Sequence, residues 1–367
     1  MKRIALFFDR PYVDAHFCFT ELARNLAERN FQVDLYHIPN PYNLSPGFLN
    51  DEIRVKQFPI SKTQKLDFFL KALFTDKLKY DAIIGTPING AVMGARIAKR
   101  EKIPFFYLAD EIFDPLTKYH SIANWEKAKR LDIAANNKAA ASIALGEERY
   151  KYQKKVNHLP DSLPYFVIPN SPSGEVKKLQ SSYFRDIFEI KDSKPIVLFI
   201  GTLGWNLAKL IYERTKEYRD KEYHLIFHGR TKGLMGDGNA HPFIKVSGQP
   251  LPSTLLNYAV SSADLGLVLY DKTIPQEQNN GWTGGKIGTY FKNGLPVIAG
   301  NLEQFKVFEE KNIGTFWDAK VEIDLIIKNT LNKITTLQKN IPDFYAEHYQ
   351  YETFFDRFYS FLLKKIL

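Results

Sequence analysis

The sequence predicts an α/β protein built from two doubly wound domains whose glycine-rich turns face a shared cleft. Three observations carry that expectation. Short apolar runs that read as strands alternate with stretches of helical period along most of the chain. At 367 residues the chain is long for a single hydrophobic core, so two domains are the natural prior. A proline-punctuated stretch from Leu159 to Glu175 separates one strand–helix series from a second that opens at Lys194-Pro195. The boundaries expected are 1–170, 171–340, and a helical, aromatic tail at 341–367 that crosses back to brace the first domain.

The first series opens with Ile4–Phe8 as a strand. Phe19–Arg29 follows with Phe19, Leu22 and Leu26 on one helical face, and Val33–His37 reads as the next strand. The first turn lacks G-x-G-x-x-G, so it does not advertise a dinucleotide site. Arg54–Tyr80 interleaves Phe68, Phe69, Leu70, Leu73 and Phe74 with lysines. It reads as a basic amphipathic helix, suited either to packing on the domain or to peripheral contact with an anionic membrane. Asp81–Gly85 and Pro104–Ala109 are strands around a helix at Gly90–Arg100. Asp110-Glu111 then falls at a strand's carboxyl end. Trp125–Ala141 reads as a helix and Ser142–Leu145 as a strand.

In the second series Ile196–Ile200 is a strand that runs into Gly201-Thr202-Leu203-Gly204, and a helix covers Asn206–Tyr218. His224–His228 runs into Gly229-Arg230-Thr231-Lys232-Gly233. Phe243–Ser247, Leu265–Tyr270 and Leu295–Ala299 are further strands, with helices at Thr254–Ser261, Phe305–Lys311 and Ile323–Lys339. The stretch Gly281-Trp282-Thr283-Gly284-Gly285-Lys286 organises this half. Glycine at a helix start lets backbone approach an anion with no Cβ in the way, and the helix's first N–H groups point at that anion. Lys286, in the first turn, adds a full positive charge. Asn293-Gly294 ends the helix.

Composition narrows the function. The single cysteine, Cys18, excludes an intramolecular disulfide and a cysteine-rich metal site. The histidines show no metal-ligand spacing. The formal net charge of +9 favours anionic partners such as nucleotides or phospholipid surfaces, and no nucleic-acid motif accompanies it. The first residues read as a strand and not as a signal peptide, and no stretch is long and apolar enough to span a bilayer. A cytoplasmic protein is expected, at most at the inner face of the membrane.

Ile200-Gly201-Thr202, Ala263-Asp264-Leu265-Gly266-Leu267 and the run from Lys286 to Ile298 together resemble the GT-B glycosyltransferases, which have two Rossmann-like domains. The last run is similar to the lysine, aromatic and Gly-x-Pro-Val-Ile pattern of bacterial polysaccharide glycosyltransferases. The resemblance implies a nucleotide-diphosphate sugar held mainly by the second domain and a saccharide or lipid-linked acceptor on the first. Gly201 and Thr202 would approach the diphosphate from one wall, and Gly284, Gly285 and Lys286 from the other. Arg230 and Lys232 are further cation candidates, although a basic turn in solvent explains them equally well. Ser247, Gly248 and Gln249 lie where such folds hold the base. Thr289 and Tyr290 would approach the ribose or a phosphate. Many retaining members carry two glutamates where this chain has Gly281 and Thr289, so the retaining label does not carry over. The resemblance implies no obligatory metal and no cofactor beyond the sugar donor.

An inverting displacement needs a general base for the acceptor hydroxyl. His16 and Asp14, in the loop after the first strand, are the candidates, with Asp110 and Glu111 as alternatives that could instead orient a sugar hydroxyl. A histidine held by Asp14 or another carboxylate would suit the task. Two other readings compete: a nucleotide-sugar epimerase of the same fold, and a non-catalytic sugar-nucleotide binding protein.

Overall fold

The apolar runs that open each half of the chain become inner strands of two parallel sheets in a computed structural model of the protein. The structure describes residues 1–10, 13, 16–38, 55–59, 79–114, 124–204, 206–217, 221–230, 241–248, 250–270, 272–273, 278, 280–300 and 302–367, with backbone alone at 55–59, 206 and 254. Two compact units result: Met1–Asn170 together with Tyr351–Leu367, and Ser171–Gln350.

In the first unit the elements are β1 (Arg3–Phe8), α1 (Phe17–Glu28), β2 (Gln32–His37), β3 (Val55–Pro59), β4 (Ala82–Gly85), α2 (Asn89–Glu101), β5 (Phe105–Ala109), α3 (Trp125–Asn137), β6 (Ala141–Ala144), α4 (Glu147–Asn157) and β7 (Tyr165–Val167). They form a seven-stranded sheet ordered β3-β2-β1-β4-β5-β6-β7, with every pairing parallel. Ile4 sits opposite Val33 on one side and Ala82 on the other. Side chains alternate between faces, and the inner strands β1, β4 and β5 are buried on both faces along largely apolar runs. Leu6 and Phe8 pack with α1 on one face, and Ala5 and Phe7 pack with α2 on the other.

Three sequence expectations change here. Val55–Pro59 is a strand paired with β2, not the start of an amphipathic helix, and residues 60–78 of that stretch lie outside the described residues. Tyr165–Val167, expected to be part of a connector, is the edge strand, short because Pro164 and Ile168-Pro169 bracket it. The helix α4 was not foreseen because its inner face is largely polar. Arg149, Gln153 and Asn157 are buried there beside Tyr150 and Val156, so no apolar stripe marks it.

The second unit contains α5 (Tyr183–Ile187), β8 (Ile196–Thr202), α6 (Asn206–Thr215), β9 (His224–Arg230), β10 (Ile244–Ser247), α7 (Ser253–Ser261), β11 (Leu265–Leu269), α8 (Gly285–Lys292), β12 (Val297–Gly300), α9 (Lys306–Glu310), β13 (Gly314–Trp317), α10 (Ile323–Leu331), α11 (Ile334–Lys339) and α12 (Ile341–His348). Its sheet is ordered β10-β9-β8-β11-β12-β13, again all parallel. Ile341, Phe344, Tyr345 and Tyr349 fill this unit's core. Only the final helix, α13 (Tyr351–Ile366), belongs to the first unit, so the return begins later than residue 341, where the sequence reading put it. Its Tyr351, Phe355, Phe358 and Leu362 are fully buried against α1 and the first sheet. Each such side chain contributes on the order of 2 kcal/mol.

Both sheets wind the same way. Two strands step outward from the first, and the chain then crosses to the other side. The winding reverses between β1 and β4 in one unit and between β8 and β11 in the other. Ligands of open α/β sheets bind at the carboxyl ends of strands at such points.

Candidate functional site

At the second unit's reversal point stands Lys286, in the first turn of α8. Its ammonium nitrogen is buried. It lies 4.9 Å from the ring centroid of Phe199, on β8, and 4.8 Å from that of Tyr270, just past β11. The negative ring faces stabilise the charge. Gly201, near the end of β8, has a φ of +141°, and a Cβ there would come within 3.4 Å of Lys286 Nζ. Gly201 and Lys286 are thus brought together. A glycine strand end, a helix start and an ammonium between aromatic rings make a setting for a phosphate.

The neighbouring strand end is as tightly drawn. Gly201 pairs with Gly229, and Thr202 pairs with Arg230. Gly229 has a φ of +150°, and a Cβ on it would stand 1.8 Å from Gly201 O. Only glycine permits that approach of two strand ends. Thr202 and Arg230 are half-buried beside each other. Ser247 is one strand further out, where its hydroxyl meets His228 Nδ1 at 3.0 Å. Burial pushes the His228 imidazole down to about 4, so it is neutral near pH 7. Lys232 and Gln249 lie outside the described residues.

Gly284 caps α8 and Gly285 begins it. A Cβ on Gly284 would fall 1.9 Å from the Tyr270 hydroxyl, so that hydroxyl occupies the space beside the cap. The turn before the helix is anchored from α12. The Trp282 ring stacks on Phe344 at 5.7 Å and meets His348 at 5.0 Å, and the Tyr349 hydroxyl donates to Trp282 O.

Two residues expected near the ribose or a phosphate are turned elsewhere. Thr289 is fully buried and its hydroxyl donates to Gly285 O at 2.8 Å, back along its own helix. Tyr290 is also fully buried. Its hydroxyl accepts from Ile200 N and donates to Leu198 O, both at 2.9 Å, while its ring fills the space that Gly266 leaves. Tyr290 ties α8 to the sheet beneath it. Burial holds its phenol well above the usual range, as a neutral hydroxyl.

The first unit's reversal point holds different chemistry. Asp9 and Arg10 follow β1, His16 precedes α1, and Asp110 and Glu111 follow β5. Arg10 forms an ion pair with Asp110 Oδ2. Asp110 Oδ1 accepts from Glu111 N at 3.0 Å, and the Asp110 side chain is only 1% exposed. His16 Nδ1 stands 3.9 Å from Asp110 Oδ2, and the His16 side chain is 22% exposed. The Phe8 ring touches both the His16 imidazole, at 4.9 Å, and the Arg10 guanidinium, at 5.3 Å. Arg149, from α4, donates to Asp110 O at 2.8 Å. Asp9 Oδ2 accepts from Asn89 N at 2.9 Å at the start of α2, and burial raises its carboxyl against the pull of Arg10. His16 and Asp110 are therefore brought together, while Asp14 lies outside the described residues.

Sequence reasoning missed Arg10, Arg149, Phe199 and Tyr270. Arg10 was findable, because a charged pair directly after the first strand of a doubly wound sheet falls at its reversal point. Arg149 was not, because its helix carries no readable stripe. Among the described residues, no group of three or more His, Cys, Asp or Glu could hold a metal, and no helix is long and apolar enough to cross a membrane.

No family profile matches the sequence, and no curated protein does. Solved structures do. HepE (Alr3699) of Anabaena, in complex with UDP and glucose, superposes with a TM-score of 0.71 at 17% identity, covering 99% of this chain and 100% of that one. WaaG, a glycosyltransferase involved in lipopolysaccharide biosynthesis, gives 0.64 at 14% identity, with 96% of each chain covered. A putative UDP-N-acetylglucosamine 2-epimerase from Listeria monocytogenes gives 0.57 at 12% identity, covering 93% and 90%. The chain has the GT-B fold, with two Rossmann-like units.

Proposed function

We propose that the chain is a glycosyltransferase that moves a sugar from a nucleotide-diphosphate sugar to a hydroxyl of a saccharide or lipid-linked acceptor, in the assembly of a surface polysaccharide or glycoconjugate. The observation that carries this is the Lys286 ammonium beside Gly201 at the reversal point of the second sheet. Charge develops on the departing diphosphate, and a preorganised cation and helix start meet it without reorganising. Gly201, Thr202, Gly284, Gly285 and Arg230 complete the donor wall. His16 accepts the proton of the acceptor hydroxyl, with Asp110 beside it. UDP is the nucleotide favoured by the likeness to HepE, and WaaG's role favours the polysaccharide setting. In this reading the donor diphosphate is stabilised by these side chains and the helix start, without a metal.

The likeness to an epimerase supports a second reading, in which the same donor is converted with no acceptor. A panel of UDP-, GDP-, dTDP- and CMP-sugars, screened by thermal shift and then by calorimetry, tests the donor site. One nucleotide family should raise the Tm by mass action. Lys286→Ala should weaken its binding by roughly 10- to 100-fold, the worth of a charge-assisted hydrogen bond. Unchanged affinity removes Lys286 from the site. Release of nucleoside diphosphate that depends on an added saccharide supports transfer, and donor conversion without one supports epimerisation.

A further inference from the structure

The proposed base must be unprotonated when the acceptor arrives, and the surroundings of His16 bear on that. Among the described residues, the carboxylate beside it is Asp110, which is sealed from solvent, with its side chain 1% exposed. A sealed, uncompensated carboxylate beside an imidazole favours the imidazolium strongly, because little water screens the attraction. Here the carboxylate is compensated. Oδ1 takes the Glu111 N–H, and Oδ2 is held by the Arg10 guanidinium. His16 Nδ1, at 3.9 Å from the same Oδ2, is beyond hydrogen-bond distance from it.

Among the described residues, the other charged groups around this pair do not replace Arg10. Arg149 grips the main-chain carbonyl of Asp110 and not its carboxylate. Glu111 lies 3.7 Å from Arg10 and is itself an acid. Asp9, next to Arg10, engages the start of α2. Cys18, which follows on α1, is buried, and its thiol is pushed up to about 12, so it carries no charge near neutrality.

We propose that Arg10 is a positioning residue for the reaction: by holding Asp110 Oδ2 it stops the carboxylate from converting His16 into a lasting imidazolium, and so keeps the base available near neutral pH. This rests on the transfer reading above. Arg10 suits the role because a guanidinium stays charged at every working pH, and stacking over Phe8 fixes its direction.

The test is Arg10→Gln in the full chain, with the His16 resonance followed by NMR across pH and assigned by its loss in His16→Ala. The expected result is a His16 titration midpoint about one unit above that of the wild type, the scale of a nearby uncompensated charge. Arg10→Lys should stay near wild type, and Arg10→Gln combined with Asp110→Asn should cancel the rise. In turnover, the acid limb of kcat/KM should move up by the same amount. Activity then falls about tenfold below the limb and recovers above it. An unchanged or lowered midpoint in Arg10→Gln overturns the proposal, and so does an equal loss of rate at every pH, which is what a merely structural arginine would give. The NMR titration needs no turnover. A shifted midpoint in a protein that transfers no sugar would leave Arg10's action on His16 standing and bring down the transfer reading alone.

Discussion

The two reversal points occupy the same place in the same winding plan, yet they are furnished in opposite ways. Between β1 and β4 lie Asp9, Arg10 and His16, with Asp110 and Glu111 from the next strand, so nearly every side chain there can carry charge or a proton. Between β8 and β11 the described residues bring together the Lys286 ammonium, the Phe199 and Tyr270 rings, and glycines where strand and helix ends approach. The contrast extends to the histidines. His16 is reachable and sits beside a carboxylate, whereas His228 is buried, neutral and bonded to Ser247. The lesson is that the winding plan sets where chemistry can happen and leaves its kind to a handful of side chains. In the reading proposed above, one unit handles protons and the other holds an anion.

Exchanging the roles of the two points would break that comparison. His16→Ala should give the largest effect, a loss of about 10²- to 10⁴-fold in turnover as expected for a general base, with donor affinity by calorimetry essentially unchanged. Full activity in that variant would move the base elsewhere, with Asp110 the next candidate. A smaller effect should come from the buried histidine. His228 titrates near about 4 in the folded protein, below its ordinary value of 6.5, so the unfolded chain binds the proton first as pH falls. Stability should be complete above about pH 6.5 and drain away down to about pH 4, by roughly 3 kcal/mol in all. Melting curves of His228→Gln should be flatter across that window, and an identical slope would remove His228 as the cause. The smallest effect is expected from Tyr290→Phe. Loss of the hydroxyl leaves Ile200 N and Leu198 O short of a partner and should cost about 1–3 kcal/mol in denaturant unfolding. Nucleotide affinity of the folded protein should not change. A large fall in affinity would return Tyr290 to the binding wall.

The parallel series of strands was legible because a strand covered on both faces leaves an apolar run, and Ile4–Phe8, Ile196–Ile200 and Leu265–Tyr270 are such runs. The turn from Gly281 to Lys286 was legible as the start of a helix, because glycines there allow a close backbone approach, a pattern that a tight connection alone also explains. What stayed hidden had its chemistry turned inward. The helix α4 buries Arg149, Gln153 and Asn157, and so breaks the rule that inner faces are apolar. The resemblance implied a ligand beside Thr289 and Tyr290, but a helix turns each residue by about 100° and points these two into the core. The grip of Arg10 on Asp110 spans a hundred residues of sequence, and no local pattern records it.

The placement of α13 has a consequence for the order in which the molecule can be completed. The second unit, Ser171–Gln350, is continuous in sequence and has all its core residues as soon as Tyr349 is made. The first unit begins earlier and finishes later, because Tyr351, Phe355, Phe358 and Leu362 are part of its core. On the ribosome the half of the protein made first is therefore the last to close. Until the final helix is synthesised, the apolar faces of α1 and the first sheet stand open to water, and a nascent chain stalled before residue 351 would carry a finished second unit joined to an unfinished first one.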